Sequence, residues 1–277
     1  MKYHFKILAF LGLVFSLSSC ASHNARQKAA DLSAQRAGFQ SHILKAGQFW
    51  LQTYQRIKNP KLPYTVYIEG DGYAFLDKRH VSPDPTPKRP MLLNLATMDY
   101  RSNIVYIARP CQYVNISMDG HCSEMYWTTK RMSEEVVNSI NVAIKDITKG
   151  QPVDLVGYSG GGGIAVLVAS RNSHVRSILT LAANLDYIRF NEYHHVTRPM
   201  IGSLNPIDAA SKIRHIPQLH FTGAEDNIVP AFIADHYIQS SASRCVRQEI
   251  IPKVTHNSGW YDVWPYILGS AITCSAK

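Results

Sequence analysis

The segment Gly157-Tyr158-Ser159-Gly160-Gly161 constrains the fold of this chain more than any other part of the sequence. It follows an apolar run, Val153–Val156, and it precedes a second apolar run, Ile164–Ala169. The first run is typical of a buried strand and the second of a helix. Because a serine between them occupies a strained strand-to-helix turn, its neighbours have to be small. The pattern therefore predicts a strand, a sharp turn and a helix, with the Ser159 hydroxyl presented at the turn.

Four consecutive glycines, Gly160–Gly163, open the predicted helix. Each glycine costs about 0.5–1 kcal/mol relative to alanine inside a helix, so close approach of another part of the backbone is expected there. The helix N-terminus also directs N–H groups and a partial positive charge towards any oxyanion that develops beside Ser159. The alternatives are a glycine-rich turn without a catalytic role and a phosphate-binding turn. No Walker lysine follows, and the pattern is not G-x-G-x-x-G.

A serine nucleophile needs a histidine base and a carboxylate that orients the histidine. A short predicted strand, Gln218–Thr222, leads into a turn-rich loop, Gly223–Pro230, which contains Asp226. A further predicted strand leads into a glycine- and serine-containing loop with His256. The sequence thus predicts a catalytic set of Ser159, Asp226 and His256, in that chain order.

In this order, at the ends of predicted strands, the three residues resemble the catalytic triad of the α/β-hydrolase superfamily. The resemblance covers roughly residues 49–272 and implies one α/β-hydrolase domain over residues 49–277, with a mostly parallel central sheet and helices on both faces. The strand-like runs alternate with helical windows such as Ser133–Ile147, as this fold requires. These runs are Phe49–Tyr54, Tyr64–Ile68, Asn103–Ala108, Val153–Val156, Val175–Ala183, Leu219–Thr222 and Arg247–Ile251.

The acid is the triad member with the most alternatives. Glu225 is adjacent to Asp226, and Asp186 follows the apolar run 177–183. Asp226 could also serve only as a cap for a helix that begins near Pro230. An extended segment favours Asp226 over Glu225, because adjacent side chains point to opposite sides.

An oxyanion hole needs a second backbone N–H besides that of Gly160. The predicted strand Tyr64–Ile68 alternates β-branched and aromatic residues and ends in Glu69-Gly70-Asp71-Gly72. This segment resembles the superfamily's H-G-x-G turn, with glutamate in place of the usual histidine. The resemblance places the second donor at the backbone of Asp71, with Gly72 and an ordinary glycine turn as alternatives.

The resemblance implies a serine hydrolase that cleaves a carboxylic ester through an acyl-enzyme, without a cofactor or a metal. The expected partner is a small-molecule ester or acyl substrate. A serine peptidase or amidase on the same fold is one alternative, and a non-catalytic envelope lipoprotein is another. Four aromatic residues near the expected site loops either line an acyl pocket or belong to the core: Tyr73, Tyr126, Trp127 and Trp260.

The N-terminus predicts export from the cytoplasm. An apolar run over residues 7–15 follows two lysines and is too short to span a bilayer stably, which is typical of a signal peptide. Leu17-Ser18-Ser19-Cys20 closes it and resembles the bacterial lipobox. The resemblance implies a signal peptide over residues 1–19, a lipid anchor at Cys20, and, because Ala21 follows, an outer-membrane location. An ordinary secretory signal is the alternative.

Charge and composition bear on the partners. The formal net charge is +9, and no basic stripe is interleaved with aromatic residues. This distribution favours an anionic membrane surface over nucleic acid. Residues 20–48 are rich in Ala, Gln, Ser and Lys, and we expect them to form a tether that passes into an N-terminal helix.

The cysteine count agrees with export. The chain has five cysteines, and lipidation of Cys20 would leave four. Cys111 and Cys122 bracket a polar loop, while Cys245 and Cys274 flank the final part of the chain. We expect two disulfides, Cys111–Cys122 and Cys245–Cys274, in an oxidising periplasm. Buried free thiols are the alternative.

Overall fold

The computed structural model of the chain describes residues 25–77, 79–117, 119–196 and 200–274. Its strands are β1 Gln40–Ala46, β2 Phe49–Ile57, β3 Tyr64–Ile68, β4 Asn103–Ile107, β5 Val153–Tyr158, β6 Val175–Leu181, β7 Gln218–Gly223 and β8 Val246–Ile251. Its helices are α1 over residues 25–36, α2 Met91–Thr97, α3 Glu134–Thr148, α4 Gly160–Ala169, α5 Tyr187–Tyr193, α6 Ala231–Ser241 and α7 Trp260–Gly269. Short 3-10 turns lie at Glu124–Trp127 and Pro206–Ala209.

All eight strands form one sheet, in the order β1-β2-β4-β3-β5-β6-β7-β8. The pairs β1–β2 and β2–β4 are antiparallel, and every other pair is parallel. The predicted mostly parallel sheet is therefore confirmed, and each of the seven predicted strands corresponds to an observed one. Strands β3, β4 and β5 are buried along their whole length, which explains why they read as nearly continuous apolar runs.

Helices cover both faces of the sheet, as predicted. Along β3, Val66 and Ile68 pack with residues of α3 and α4, while the intervening Tyr67 packs with residues of α2 and α7. Successive side chains of a strand point to opposite faces, so one strand contributes to two apolar layers. Each layer removes large aliphatic and aromatic side chains from water, worth about 1.5–3 kcal/mol for each fully buried one.

The sheet begins earlier in the chain than the sequence indicated. Residues 20–48, predicted as a tether and an N-terminal helix, contain α1 and also the strand β1, which pairs with β2 from Gln40↔Gln55 to Ala46↔Phe49. The boundary of the folded domain at residue 49 is thus corrected, because residues 25–48 belong to the same fold. The strand was missed because it lies at the sheet edge, and its mostly exposed residues lack an alternating apolar pattern.

The N-terminal helix also packs onto the domain rather than standing apart from it. Ala30 and Ala34 of α1 are buried in the same apolar layer as α2 and α7, and Ser33 donates a hydrogen bond to Asn94 Oδ1 at 2.7 Å. The predicted signal peptide, residues 1–19, and the predicted lipidation site, Cys20, lie outside the described residues. Within the described part of the chain, no helix combines the length and apolarity needed to cross a membrane.

Both predicted disulfides are present. Cys111 is joined to Cys122, with Cα atoms 5.6 Å apart, and Cys245 is joined to Cys274. The first closes the loop that follows β4, at the carboxyl edge of the sheet. The second links the start of β8 to the segment that follows α7.

Candidate active site

Ser159 lies between β5 and α4 with φ 52° and ψ −121°. A positive φ in a residue other than glycine costs of the order of 1–3 kcal/mol, so surrounding contacts have to hold it. The Ser159 amide donates to Leu181 O at 2.9 Å, and the Ser159 carbonyl accepts from the amides of Gly162 and Asn184 at 3.0 and 3.1 Å. Bonds to β6 and to the segment after it therefore fix the serine in its strained conformation.

The glycines around Ser159 allow the close approach that the sequence predicted. A Cβ on Gly157 would lie 2.5 Å from the Gly162 Cα, and a Cβ on Gly161 would lie 2.2 Å from the Ile68 carbonyl oxygen. Real Cβ atoms do not make non-bonded contacts this short, and backbone atoms cannot move aside as the end of a side chain can. The first turn of α4 thus packs directly onto the carboxyl end of β3.

The structure brings Ser159, His256 and Asp226 into one hydrogen-bonded chain. His256 Nε2 lies 3.1 Å from Ser159 Oγ, and His256 Nδ1 lies 2.9 Å from Asp226 Oδ2. Both distances fall within the reach that a nucleophile, a base and an orienting acid require. His256 and Asp226 are buried, whereas Ser159 is partly exposed, so a substrate could reach the hydroxyl and not the acid.

Asp226 uses its two oxygens for two tasks. Its Oδ1 accepts hydrogen bonds from the amides of Ile228 and Val229, both at 2.8 Å, while Oδ2 faces His256. Oδ1 thus makes the capping contacts, and Oδ2 makes the contact with His256. The two interpretations of Asp226 are therefore compatible. The loop bonds hold the carboxylate in place without competing with the histidine for the same oxygen.

The other two candidate acids lie elsewhere. Glu225 is exposed. Asp186 caps α5 by accepting from the amides of Ile188 and Arg189, and its Oδ2 lies 2.8 Å from His236 Nδ1. Neither carboxylate contacts His256 among the described residues.

Two aromatic side chains hold the His256 loop, and sequence reasoning did not find this role. The His256 carbonyl accepts from the Tyr158 hydroxyl at 3.1 Å and from Trp260 Nε1 at 2.9 Å. The Tyr158 hydroxyl is also 2.9 Å from Asn257 Oδ1, and its single proton can serve one acceptor at a time. Burial raises the pKa of Tyr158, so the hydroxyl remains a donor. The only local signal was its place inside the G-x-S-x-G pattern.

The remaining aromatic candidates divide between core and loop. Trp260 and Trp127 are buried, and Trp127 Nε1 donates to Ser82 O at 3.0 Å, so both belong to the core. Tyr126 packs edge-on against Phe49 with ring centroids 4.7 Å apart. Tyr73 stays on the loop after β3, with the Lys88 ammonium 3.6 Å from its ring centroid.

The loop after β3 borders Ser159 on one side. A Cβ on Gly70 would lie 3.4 Å from the Ser159 Cβ, and a Cβ on Gly160 would lie 2.1 Å from Asp71 Oδ1. The amides of Gly160 and Asp71, the two predicted oxyanion donors, have no acceptor among the described residues. The Asp71 side chain occupies this neighbourhood as well, which the sequence did not indicate.

Glu69 stands where the superfamily turn usually has histidine, and it is buried. Its Oε1 accepts from the Gly70 amide and its Oε2 from the Tyr106 hydroxyl, both at 2.8 Å. Burial raises the pKa of Glu69 to about 7, against the opposing effects of these two donors and of Arg109. The carboxyl group that holds the start of the loop after β3 therefore has a pKa near neutrality.

A glutamine from the disulfide-bonded loop braces the same segment. Gln112 Nε2 donates to Gly70 O at 3.0 Å, and Gln112 Oε1 accepts from the Arg109 amide at 3.1 Å. The residues on either side, Cys111 and Tyr113, have φ of 70° and 55°. Strained backbone at both neighbours directs the Gln112 amide group towards the loop after β3.

Two arginines flank the Asp71 carboxylate. Arg109 Nη1 lies 3.1 Å from Asp71 Oδ1, and Arg131 Nε lies 3.3 Å from Asp71 Oδ2. Neither arginine was singled out from the sequence, because each lies in an irregular segment without a recognisable motif. No group of three or more histidine, cysteine or acidic residues in the described ranges is arranged to hold a metal.

Comparison with known proteins identifies the fold. No family model matches the sequence, and no curated protein sequence matches it. Among solved structures, Est1E from Butyrivibrio proteoclasticus superposes with a TM-score of 0.57 at 12% identity, over 82% of this chain and 95% of that one. An esterase from Pyrococcus furiosus superposes with a TM-score of 0.59 at 8% identity, over 84% of this chain and 88% of that one.

A third structure is larger. The acylaminoacyl peptidase of Pyrococcus horikoshii superposes with a TM-score of 0.55 at 14% identity, over 79% of this chain. This chain spans 37% of the length of that peptidase. With the sheet order and the position of Ser159, these superpositions establish that the chain has the α/β-hydrolase fold, as the sequence predicted.

The raised pKa of Glu69 predicts a pH-dependent stability. Folding raises it from 4.5 to about 7, so between these values the folded state holds a proton that the unfolded state releases. The free energy of unfolding should therefore fall as pH rises through this range, by about 3 kcal/mol. Glu69→Gln should remove this part of the pH dependence.

Urea denaturation at several pH values from 4 to 8 gives the free energy of unfolding. The effect is the wild-type value minus the Glu69→Gln value at each pH. Glu225→Gln, which changes an exposed carboxylate, is the control and should follow the wild type. Parallel curves for wild type and Glu69→Gln would contradict the assignment.

Proposed function

We propose that this chain is a serine hydrolase that cleaves a carboxylic ester through an acyl-enzyme. The observation that carries the proposal is the hydrogen-bonded chain from Ser159 Oγ through His256 to Asp226, at a strand-to-helix turn. Two amides beside this turn have no acceptor among the described residues. The structural similarity to an esterase and to an acylaminoacyl peptidase supports hydrolytic chemistry. The similarity to esterases supports a small-molecule ester as the substrate.

The geometry supports a two-step mechanism. His256 Nε2 takes the proton from Ser159 Oγ as the oxygen attacks the ester carbonyl carbon, and the carbonyl oxygen becomes an oxyanion. The amides of Gly160 and Asp71 would donate to that oxyanion, each such donor being worth about 2.7–4 kcal/mol in a serine hydrolase. Asp226 Oδ2 keeps the proton of the imidazole on Nδ1 and stabilises the imidazolium.

The tetrahedral intermediate collapses when the bond to the alcohol oxygen breaks and His256 returns its proton to the leaving alcohol. Ser159 is then acylated. A water molecule gives its proton to His256 Nε2 and attacks the acyl carbon. Collapse of the second intermediate breaks the bond to Ser159 Oγ, which recovers the proton, and the carboxylic acid is released.

We also propose that the protein is lipidated at Cys20 and held in the bacterial outer membrane. The support comes from the lipobox-like Leu17-Ser18-Ser19-Cys20 and the apolar run before it. Two disulfides between the other four cysteines suit an oxidising compartment. The net charge of +9 would favour contact with anionic lipids.

The first test of hydrolase function is covalent labelling. We expect a fluorophosphonate to label the full-length protein, purified in detergent, at Ser159, and Ser159→Ala to abolish labelling while the fold is kept. Ser170→Ala, at the far end of α4, is the matched control and should label normally. Absence of labelling in wild type with a native circular dichroism spectrum would refute the proposal.

The role of Asp226 makes a second prediction. Asp226→Asn should leave the wrong imidazole tautomer and lower kcat on 4-nitrophenyl butyrate by about 10³–10⁴-fold, as in other serine triads. Glu225→Gln should change kcat little, because that side chain is exposed. If Glu225→Gln abolished turnover and Asp226→Asn retained it, the acid would have to be reassigned.

The anchor makes a third prediction. In a Gram-negative host, we expect the full-length protein to fractionate with the outer membrane and its N-terminal peptide to carry the mass of attached acyl chains. Cys20→Ala should be released into the soluble periplasmic fraction. Equal membrane association of wild type and Cys20→Ala, with no added mass, would rule out lipidation.

A further inference from the structure

Positive charge is in excess beside the loop after β3, which contains Asp71. The side chains of Asp71, Arg109 and Arg131 form a cluster, with exposures of 20%, 4% and 13%. Two guanidinium groups, which stay protonated in proteins, thus face one carboxylate. The next carboxyl group, Glu69, bonds to the Gly70 amide and the Tyr106 hydroxyl rather than to either arginine. The cluster therefore has room for one more negative charge.

The two arginines differ in how completely they are bonded. Arg109 is buried, and its two terminal nitrogens donate to Asp71 Oδ1 and to the Arg131 carbonyl. Its role is therefore to hold both neighbours in place. Arg131 is bonded less well. Its Nε lies within ion-pair distance of Asp71 but makes no well-directed hydrogen bond.

The terminal nitrogens of Arg131 have a poor set of acceptors. Nη2 faces the Met200 thioether sulfur at 3.4 Å, which is a weak acceptor. No carboxylate other than Asp71 lies within ion-pair distance of Arg131 in the described ranges. A largely buried guanidinium with unused donors is costly unless water or a ligand supplies further acceptors.

Arg131 is placed to meet a bound substrate. Asp71 touches Gly160, the residue after the nucleophile, so Arg131 is separated from the elbow by one side chain. On its other side lie Met200 and Phe190, with the Phe190 ring centroid 6.0 Å from the guanidinium carbon. Both lie between β6 and β7 in the chain.

We propose that Arg131, positioned by Asp71 and Arg109, binds a carboxylate carried by the substrate, so that the preferred substrates are anionic esters. The inference rests on the proposed esterase function. A carboxylate offers two oxygens to the fork of a guanidinium, which gives a bidentate, charge-assisted pair. The Met200 contact would give way to this stronger acceptor.

The test compares matched esters on the full-length protein. The acyl arm uses mono-4-nitrophenyl glutarate against 4-nitrophenyl pentanoate, and the alcohol arm uses 3-carboxyphenyl pentanoate against phenyl pentanoate. A hydrogen bond to a charged group contributes about 1.5–3 kcal/mol, equivalent to about 10–100-fold in kcat/KM. We expect wild type to prefer the carboxylate ester by this factor in one arm, which identifies the side that carries the anion.

Arg131→Met should abolish the preference, measured in each variant as the ratio of kcat/KM for the carboxylate ester to kcat/KM for its neutral partner. Arg131→Lys should retain part of it, because the charge remains and the fork is lost. Arg189→Met is the matched control: it removes an equal charge from an exposed arginine on α5 and should keep the full preference.

A binding readout does not depend on turnover of the ester. Free glutarate should slow fluorophosphonate labelling of Ser159 in wild type and not in Arg131→Met, and labelling also shows that the variant is folded. If Ser159 labels and neutral esters are cleaved, but Arg131→Met leaves the preference unchanged or wild type has none, the arginine proposal is wrong and esterase function stands. If Ser159 does not label at all, both proposals fail.

Discussion

The packing of the first turn of α4 onto β3 and β5 is the contact on which the site depends. Gly157 and Gly161 have backbone atoms so close to Gly162 and Ile68 that any side chain would collide with main chain. The contact lies beside Ser159, whose positive φ is held by hydrogen bonds to β6 and to the segment after it. It also brings the loop after β3 beside the nucleophile, so the serine and the candidate oxyanion donors are placed by one packing constraint.

Replacement of the usual histidine by Glu69 changes the electrostatics beneath this loop. A buried carboxylate close to a developing oxyanion would oppose catalysis, since like charges at short range in a protein interior repel strongly. The structure reduces the repulsion in two ways. Burial shifts the pKa of Glu69 to about 7, so much of it is neutral near pH 7, and the positive charge of Arg109 interacts with both Glu69 and Asp71. The two carboxyl groups of this turn, Glu69 and Asp71, and the arginines beside them therefore have to be considered together as one set of interacting charges.

Short patterns in the sequence predicted the features of the fold that depend on residues close together in the chain. The strand-to-helix turn at Ser159, the seven strands and the candidate triad were predicted from apolar runs, glycine spacing and the chain order of Ser159, Asp226 and His256. The edge strand β1 was missed because its residues are mostly exposed, and Arg131 because it lies in an irregular segment far from Asp71 in sequence. The Tyr158 and Trp260 bonds to the His256 carbonyl depend on tertiary contacts, which no spacing encodes. The sequence placed the turn after β3 beside Ser159, but it did not indicate the charged residues around that turn.

The disulfide-bonded loop connects the redox state of the protein to the geometry of the site. Cys111 and Tyr113 both hold a positive φ, a conformation that costs about 1–2 kcal/mol per residue outside glycine. Between them, Gln112 reaches Gly70 and fixes the carbonyl that precedes Asp71. The bond between Cys111 and Cys122 closes a short loop and so restricts the alternatives open to this turn. An oxidising compartment, which keeps this disulfide formed, would therefore preserve the position of the loop after β3 as well as the stability of the chain.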